Sequence, residues 1–185
     1  MNTKQIIYKN ADTDKELDEI LELQKINHHT NVNAEAKKTD GFVSLLHDFE
    51  LLKEMNDACA HVIARHNHKV VGYALCMTLA FKNRLELLKP MFKILDAELK
   101  NRSLTEKDVL VMGQICIAKE YRKRGIFRGL YAYMQTVLSP KYKAIVTEVS
   151  TKNKRSQAAH YSVGFQSVVQ HEAENQTWDF IWLEL

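Results

Sequence analysis

The chain has 185 residues, 45% of them hydrophobic, with six Gly and two Pro, a composition that excludes collagen and disorder and fits one globular domain, residues 1–185. Lys and Arg number 26 against 23 Asp and Glu, and the resulting +3 is too small for bulk charge to signal nucleic-acid binding. Cys59, Cys76 and Cys116 are odd in number, far apart and without a C-x-x-C pair, which excludes a disulfide or zinc framework and favours a reducing compartment.

No apolar run approaches about 18 residues, so no membrane span is expected. Met1 to Asn10 has no long apolar stretch behind a basic end, so no secretory signal is read and the expected location is cytoplasmic. Repeats, low-complexity tracts and Pro/Gly/Ser-rich linkers are lacking in the sequence. Gln5 to Lys9 reads as a short strand. Thr13-Asp14-Lys15-Glu16 has the form of a capping box, and Leu17, Ile20 and Leu21 follow it at helical spacing. A second helix is predicted over Ser44 to Asn56, with Leu45, Phe49 and Leu52 on one side. His61 to Arg65 and Val70 to Thr78 read as two strands joined by a tight turn at His66-Asn67-His68-Lys69.

Leu85, Leu88, Phe92, Leu95 and Leu99 recur at three- and four-residue intervals, which predicts an amphipathic helix starting or kinking at Pro90. Val109 to Ile117 is almost wholly apolar and reads as a central strand buried on both faces. Ile126, Leu130, Met134 and Val137 mark the next helical face, which Pro140 stops. Ala144 to Val149 is another buried strand, and a helix from about Arg155 to Val163 ends at Gly164. Strands near Phe165 to Gln170 and Thr177 to Leu183 close the series. This order specifies an α/β (α+β) fold whose central sheet of about seven strands is mixed, mostly antiparallel, with helices on both faces.

The segment from Ile115 to Leu130 joins a buried strand to a helix through Arg122-Lys123-Arg124-Gly125. Backbone N–H groups at a helix start converge on one spot with the positive end of the helix dipole, and a glycine there admits a close ligand. This is how a loop binds pyrophosphate. No Gly-Lys-Ser/Thr and no Gly-x-Gly-x-x-Gly is present, so it is neither a P-loop nor a dinucleotide loop. A solvated basic loop and a nucleic-acid patch are the rival readings, the latter weakened by sparse aromatic interleaving.

Arg122-x-x-Gly125-x-Phe127 after a buried strand resembles the Arg/Gln-x-x-Gly-x-Gly/Ala acetyl-CoA signature of the GNAT superfamily of N-acetyltransferases. Asn153-x-Arg155-Ser156-x-x-x-His160-x-x-x-Gly164-Phe165 is similar to that family's following motif, and the element order agrees from about Ile6 onward. The resemblance implies a GNAT-like acyl-CoA N-acyltransferase fold. Amides from Lys123 to Phe127, Ile126 among them, would hold the coenzyme pyrophosphate, and Arg122, Arg124 and Arg128 would add charge. Backbone groups of Ile115, Cys116 and Ile117 would pair with the pantetheine arm. Phe127 departs from the pattern, which prefers Gly or Ala there. Asn153 and Ser156 would be either coenzyme contacts or N-cap and first-turn groups.

A Lys-like amine of pKa near 10.4 is neutral about once in 2,500 molecules at pH 7, a deficit of roughly 4.6 kcal/mol, so acetylation needs a base. Glu148, a carboxylate inside an apolar strand, is the candidate, with an ion pair or sheet-edge contact as its alternative role and a water chain or an already neutral substrate as the alternatives to a side-chain base. Gln114 stands where some relatives carry Glu, and an amide is no base. The Ile117 amide is the candidate oxyanion donor. For the acid that meets the leaving thiolate, register favours His160 and chemistry favours Tyr161, whose phenol stays protonated at pH 7. His28-His29 and His66-x-His68 lack partners with metal-ligand spacing, so no metal is expected. Cys116, Trp178 and Trp182 read as core.

The expected activity is direct transfer of acetyl from acetyl-CoA, as co-substrate, to a primary amine of a small metabolite or amino acid in a ternary complex. Alternatives are a protein lysine or N-terminal acetyltransferase, and a non-catalytic CoA-binding sensor or interaction module. Neither nucleic acid nor membrane is an expected partner, and a homodimer is left open.

Overall fold

A computed structural model of the protein describes residues 5–28, 30–31, 43 and 45–185. Its strands form a seven-stranded sheet in the order β1-β2-β3-β4-β5-β7-β6. They are β1 Ile7–Asn10, β2 Val62–His66, β3 Lys69–Met77, β4 Val109–Ile117, β5 Ala144–Ser150, β6 Gln166–Ala173 and β7 Gln176–Glu184. The described α-helices are α1 Asp14–Asn27, α2 Phe49–Ala58, α3 Lys89–Asn101, α4 Ile126–Leu138 and α5 Lys154–Tyr161. β4 and β5 run parallel, as a crossover through α4 requires, while β1/β2, β2/β3, β5/β7 and β6/β7 are antiparallel. The sheet is mixed, as expected.

Contacts divide the chain into two compact units, one made of Met1–Cys76 with Gly113–Thr136 and the other of Met77–Met112 with Val137–Leu185. In the first, Thr13 caps α1 by accepting from the Glu16 amide at 3.2 Å, as the capping box predicts. The Glu16 carboxylate reaches back to the Asp12 amide and pairs with Lys9 and Arg65 at 2.8 and 3.1 Å. Leu17, Ile20 and Leu23 of α1 bury with Leu52, Ile63 and Leu75, each worth about 1.5–3 kcal/mol out of water. α2 begins later than its hydrophobic spacing suggests. Ser44 lies outside the described residues, 45–48 are irregular, and Asp48 is the N-cap, accepting from Leu51 at 2.7 Å. The β2–β3 hairpin turns through Asn67 and His68, both at positive φ (51° and 66°).

His61, at the start of β2, is fully buried: its Nε2–H donates to the Leu52 carbonyl at 3.1 Å and its Nδ1 accepts the Cys76 amide at 3.1 Å. Nothing in the sequence pattern marks this clamp. Burial holds the ring neutral, with its pKa lowered to about 4.

In the second unit, Pro90 sits in the first turn of α3 and so opens the helix without kinking it. Leu85 is buried but precedes the helix, in a stretch with short 3-10 turns at Leu79–Phe81 and Glu86–Leu88. α5 ends as expected, with Gly164 at φ +107° and the Phe165 amide bonded to the His160 carbonyl. β6 and β7 extend beyond their predicted ends and meet in a turn at Glu174 and Asn175, both at positive φ. No helix among the described residues is long and apolar enough to cross a membrane.

Candidate functional site

β4 is not buried along its whole length, as its composition suggests. Val109–Met112 are buried, whereas Gly113 is exposed and Gln114, Ile115 and Ile117 are only partly covered. In its buried half β4 pairs with β5 in parallel register through Val109, Leu110 and Val111.

After β4 the chain makes a single 3-10 turn at Lys119–Tyr121 and enters the basic loop. Lys123 (φ +61°) and Gly125 (φ +79°) both have positive φ, so the loop turns sharply at two points before the helix. A Cβ built on Gly125 meets no atom within 4 Å, so the space before it is open. The first helical bond of α4 is donated by Gly129 to Gly125, which puts the Ile126, Phe127 and Arg128 amides ahead of the helical ladder. Lys123, Arg124 and Arg128 are exposed beside them. An open glycine turn, a helix start and three cations suit a pyrophosphate. The Phe127 ring packs on Tyr131 one turn along, with centroids 5.1 Å apart, so the residue that breaks the motif still offers its amide.

Arg122 is also engaged within the protein. Its guanidinium donates to the Ile117 carbonyl at 3.1 Å and to the Asn27 Oδ1 at 2.7 Å, tying the end of β4 to α1. Arg122→Ala is thus expected to cost about 1.5–3 kcal/mol in urea unfolding, the range for bonds to a charged group. Unchanged stability with weakened coenzyme binding would instead make the guanidinium a direct ligand. Tyr121 anchors the loop from the other side: its hydroxyl bonds His66 Nδ1 at 2.9 Å and its ring carries the Arg124 guanidinium 5.3 Å from the centroid.

Gln114 is also committed. Its Oε1 accepts from the buried Tyr73 hydroxyl at 2.5 Å and its Nε2 donates to the Leu45 carbonyl at 2.9 Å, so it pins the segment before α2. Cys116 is buried with its thiol pushed up to about 11, which leaves it protonated and unreactive as a nucleophile. His28 bonds Thr30, and His29 lies outside the described residues.

Glu148 lies on β5 in the second unit with its side chain 10% exposed. Burial raises its pKa and the neighbouring His171 opposes that rise, with Nε2 and Oε2 3.0 Å apart. The ion-pair contact named as the alternative for Glu148 is thus present; His171 was not visible in the sequence because it comes from β6, a different hairpin arm.

The two acid candidates fare differently. His160 is 2% exposed, its Nδ1–H donates to the Ser156 carbonyl at 2.8 Å, and its ring stacks edge-on against Phe165. Burial lowers its pKa to about 4, so at pH 7 it has no second proton to give. Tyr161 is 41% exposed, but its hydroxyl donates to Asp179, a fully buried carboxylate that also accepts from Ser167 at 2.5 Å and Gln157 at 3.0 Å. The carboxylate beside it raises the phenol pKa, which weakens Tyr161 as an acid. Strand alternation places Glu148, paired with Phe180, on the opposite face of the β5–β7 ladder from Asp179, paired with Val149. The structure does not bring Glu148 and Tyr161 together on one face. Asn153 spends its side-chain oxygen on the Ser156 amide at 3.0 Å, the N-cap alternative. Asp179 itself was missed, although a lone acid in an apolar strand is the same signal that singled out Glu148.

A family model described as the acetyltransferase (GNAT) family matches residues 17–165. No curated protein matches the sequence. Among solved structures, the ribosomal-protein-S18-alanine N-acetyltransferase of Escherichia coli is similar at TM-score 0.63 and 12% identity, covering 97% of this chain and 94% of that one. A GNAT-family acetyltransferase of Bacillus cereus is similar at TM-score 0.62 and 16% identity, with 97% of each chain covered. Arabidopsis thaliana NAA60, solved in complex with acetyl-CoA, is similar at TM-score 0.65 and 12% identity, covering 98% of this chain and all of that one (100%).

Proposed function

The chain belongs to the acetyltransferase (GNAT) family, and from that premise we propose that it moves acetyl from acetyl-CoA directly onto a primary amine of a small metabolite or amino acid. The observation that carries this is the turn through Lys123 and Gly125, with open space at Gly125 just before the α4 amides. Acetyl-CoA supplies the thioester. The amides of Lys123 to Phe127 hold its pyrophosphate, with Arg124 and Arg128 as cations, and the backbone of Ile115, Cys116 and Ile117 pairs with its pantetheine arm. The Ile117 amide meets the developing oxyanion, a contact worth about 2.7–4 kcal/mol in comparable acyl transfers. Glu148 takes the proton from the amine. His160 and Tyr161 build the α5 packing, and the leaving thiolate, of ordinary thiol pKa near 8.5, needs no strong acid beside it.

A protein or peptide amine is the second reading, favoured by the likeness to the Escherichia coli enzyme named for an alanine of ribosomal protein S18. A cytoplasmic setting goes with this reading, as the odd number of cysteines without a C-x-x-C pair favours a reducing compartment.

Thiol release from acetyl-CoA is the test, across a panel of free amino acids, spermidine and alanine-first tripeptides. Turnover with the small amines supports the first reading, turnover with the tripeptides alone the second, and none with any amine the sensor alternative. Calorimetric titration with CoA and with short duplex DNA checks the loop. In Gly125→Val a β-branched residue is forced to φ +79° and its side chain enters the open space, so CoA affinity should fall at least tenfold while unfolding stays cooperative. Unchanged affinity, or tight DNA binding without CoA heat, would refute the loop's role.

A further inference from the structure

Glu148 has a partner that no motif of the sequence announces. Glu148 on β5 is level with Phe180 of β7, which is level with Val169 of β6; two residues along, Ser150, Trp178 and His171 form the next row on the same face. The carboxylate thus reaches diagonally over the Phe180 and Trp178 positions of β7 to meet the imidazole, Oε2 to Nε2, at 3.0 Å. Both side chains are mostly buried, 10% exposed for Glu148 and 14% for His171. Ser150, Phe180, Trp178 and Val169, the other residues of these rows, carry no ionisable group, and the His171 imidazole is the neighbour that bears on Glu148.

We propose that His171 is a positioning residue for amine deprotonation: by donating from Nε2 to Oε2 it fixes the Glu148 carboxylate and leaves Oε1 to take the proton. This rests on the reading of Glu148 as the base. Without the imidazole, the apolar rows on β7 would favour a neutral carboxyl group, which cannot accept a proton from an amine. With it, the carboxylate stays ionised and in one orientation. A hydrogen-bond donor at position 171 is what the geometry demands, so Gln can substitute there and Phe cannot.

Two measurements decide this. The first needs no acceptor: the side-chain carboxyl 13C resonance of Glu148 is titrated in the wild type, His171→Gln and His171→Phe. Burial then acts unopposed in His171→Phe, and the midpoint should move to higher pH, while His171→Gln stays nearer the wild type. The second is the pH–rate profile of thiol release from acetyl-CoA with the best amine of the panel. In His171→Phe the acid limb should move up by the same interval and kcat at pH 7 should fall about tenfold, with KM for acetyl-CoA unchanged. His171→Gln should recover most of that loss. An unmoved Glu148 midpoint, or a Gln variant as impaired as Phe, overturns the proposal while leaving Glu148 as base. A Glu148→Gln enzyme with undiminished turnover overturns both.

Discussion

Glu148→Gln is expected to lower acetyl transfer by about 10²–10⁴-fold while CoA still binds. Gln has nearly the same volume and can still meet His171, so packing on β5 survives; what disappears is the proton acceptor. A Lys-like amine must lose roughly 4.6 kcal/mol worth of protonation at pH 7 before it can attack, and a buried carboxylate with its pKa raised towards neutrality is better matched to that task than a solvated one. His160→Phe and Tyr161→Phe should each cost less than tenfold, because one ring is neutral and buried and the other hydroxyl is committed to Asp179. The check is steady-state thiol release with all three variants. A Tyr161→Phe loss equal to that of Glu148→Gln would restore the phenol as the acid.

Acid should unfold the protein through its buried histidines. Each of His61 and His160 titrates near pH 4 when folded and near 6.5 when unfolded. The unfolded chain therefore binds more protons between those values, and stability must fall as pH drops from about 6.5 to 4, by about 3 kcal/mol per ring. Two such rings remove a large share of the roughly 5–15 kcal/mol that holds a domain folded. His61 shows the cause plainly, because a proton on Nδ1 would face the Cys76 N–H, donor against donor. His47, also lowered by burial, acts in the same direction. Glu148 acts in the opposite one, since its raised pKa makes the folded state bind the extra proton, but it is a single group. Asp108, held well below the usual carboxylate range by Lys143 and Thr105, loses its contribution only below this window. Urea midpoints measured from pH 7 to 4 should fall steeply; a flat profile over that range would mean the rings are not buried as neutral bases.

Local chemistry was the legible part of this molecule. Thr13-x-x-Glu16, the apolar run Val109–Ile117 and the glycine after α5 each name their own structure, because capping, burial and positive φ are properties of a few adjacent residues. The turn at Gly125 could be read for the same reason, since its φ is positive. What stayed hidden depends on partners far along the chain: Arg122 turning to Asn27, Gln114 held by Tyr73 and Leu45, Glu148 meeting His171, and the Tyr161 hydroxyl donating a hydrogen bond to Asp179. Helical phase alone separates His160 from Tyr161 by about 100°, yet it cannot say that a buried carboxylate waits under one of them. The second half of β4 is a related case. Its residues are apolar enough for a central strand, yet Gly113 is exposed and Gln114, Ile115 and Ile117 are only partly covered, because composition does not record what packs on each face.

The loop that leaves β4 is best interrogated by amide chemical shifts, recorded as CoA is added to the 15N-labelled protein. The largest changes should fall on Lys123, Arg124, Gly125, Ile126 and Phe127, with a second set along Ile115 to Ile117, and should vanish at the same CoA concentrations in Gly125→Val. Shifts confined to other segments, or none at saturating CoA, would contradict this account.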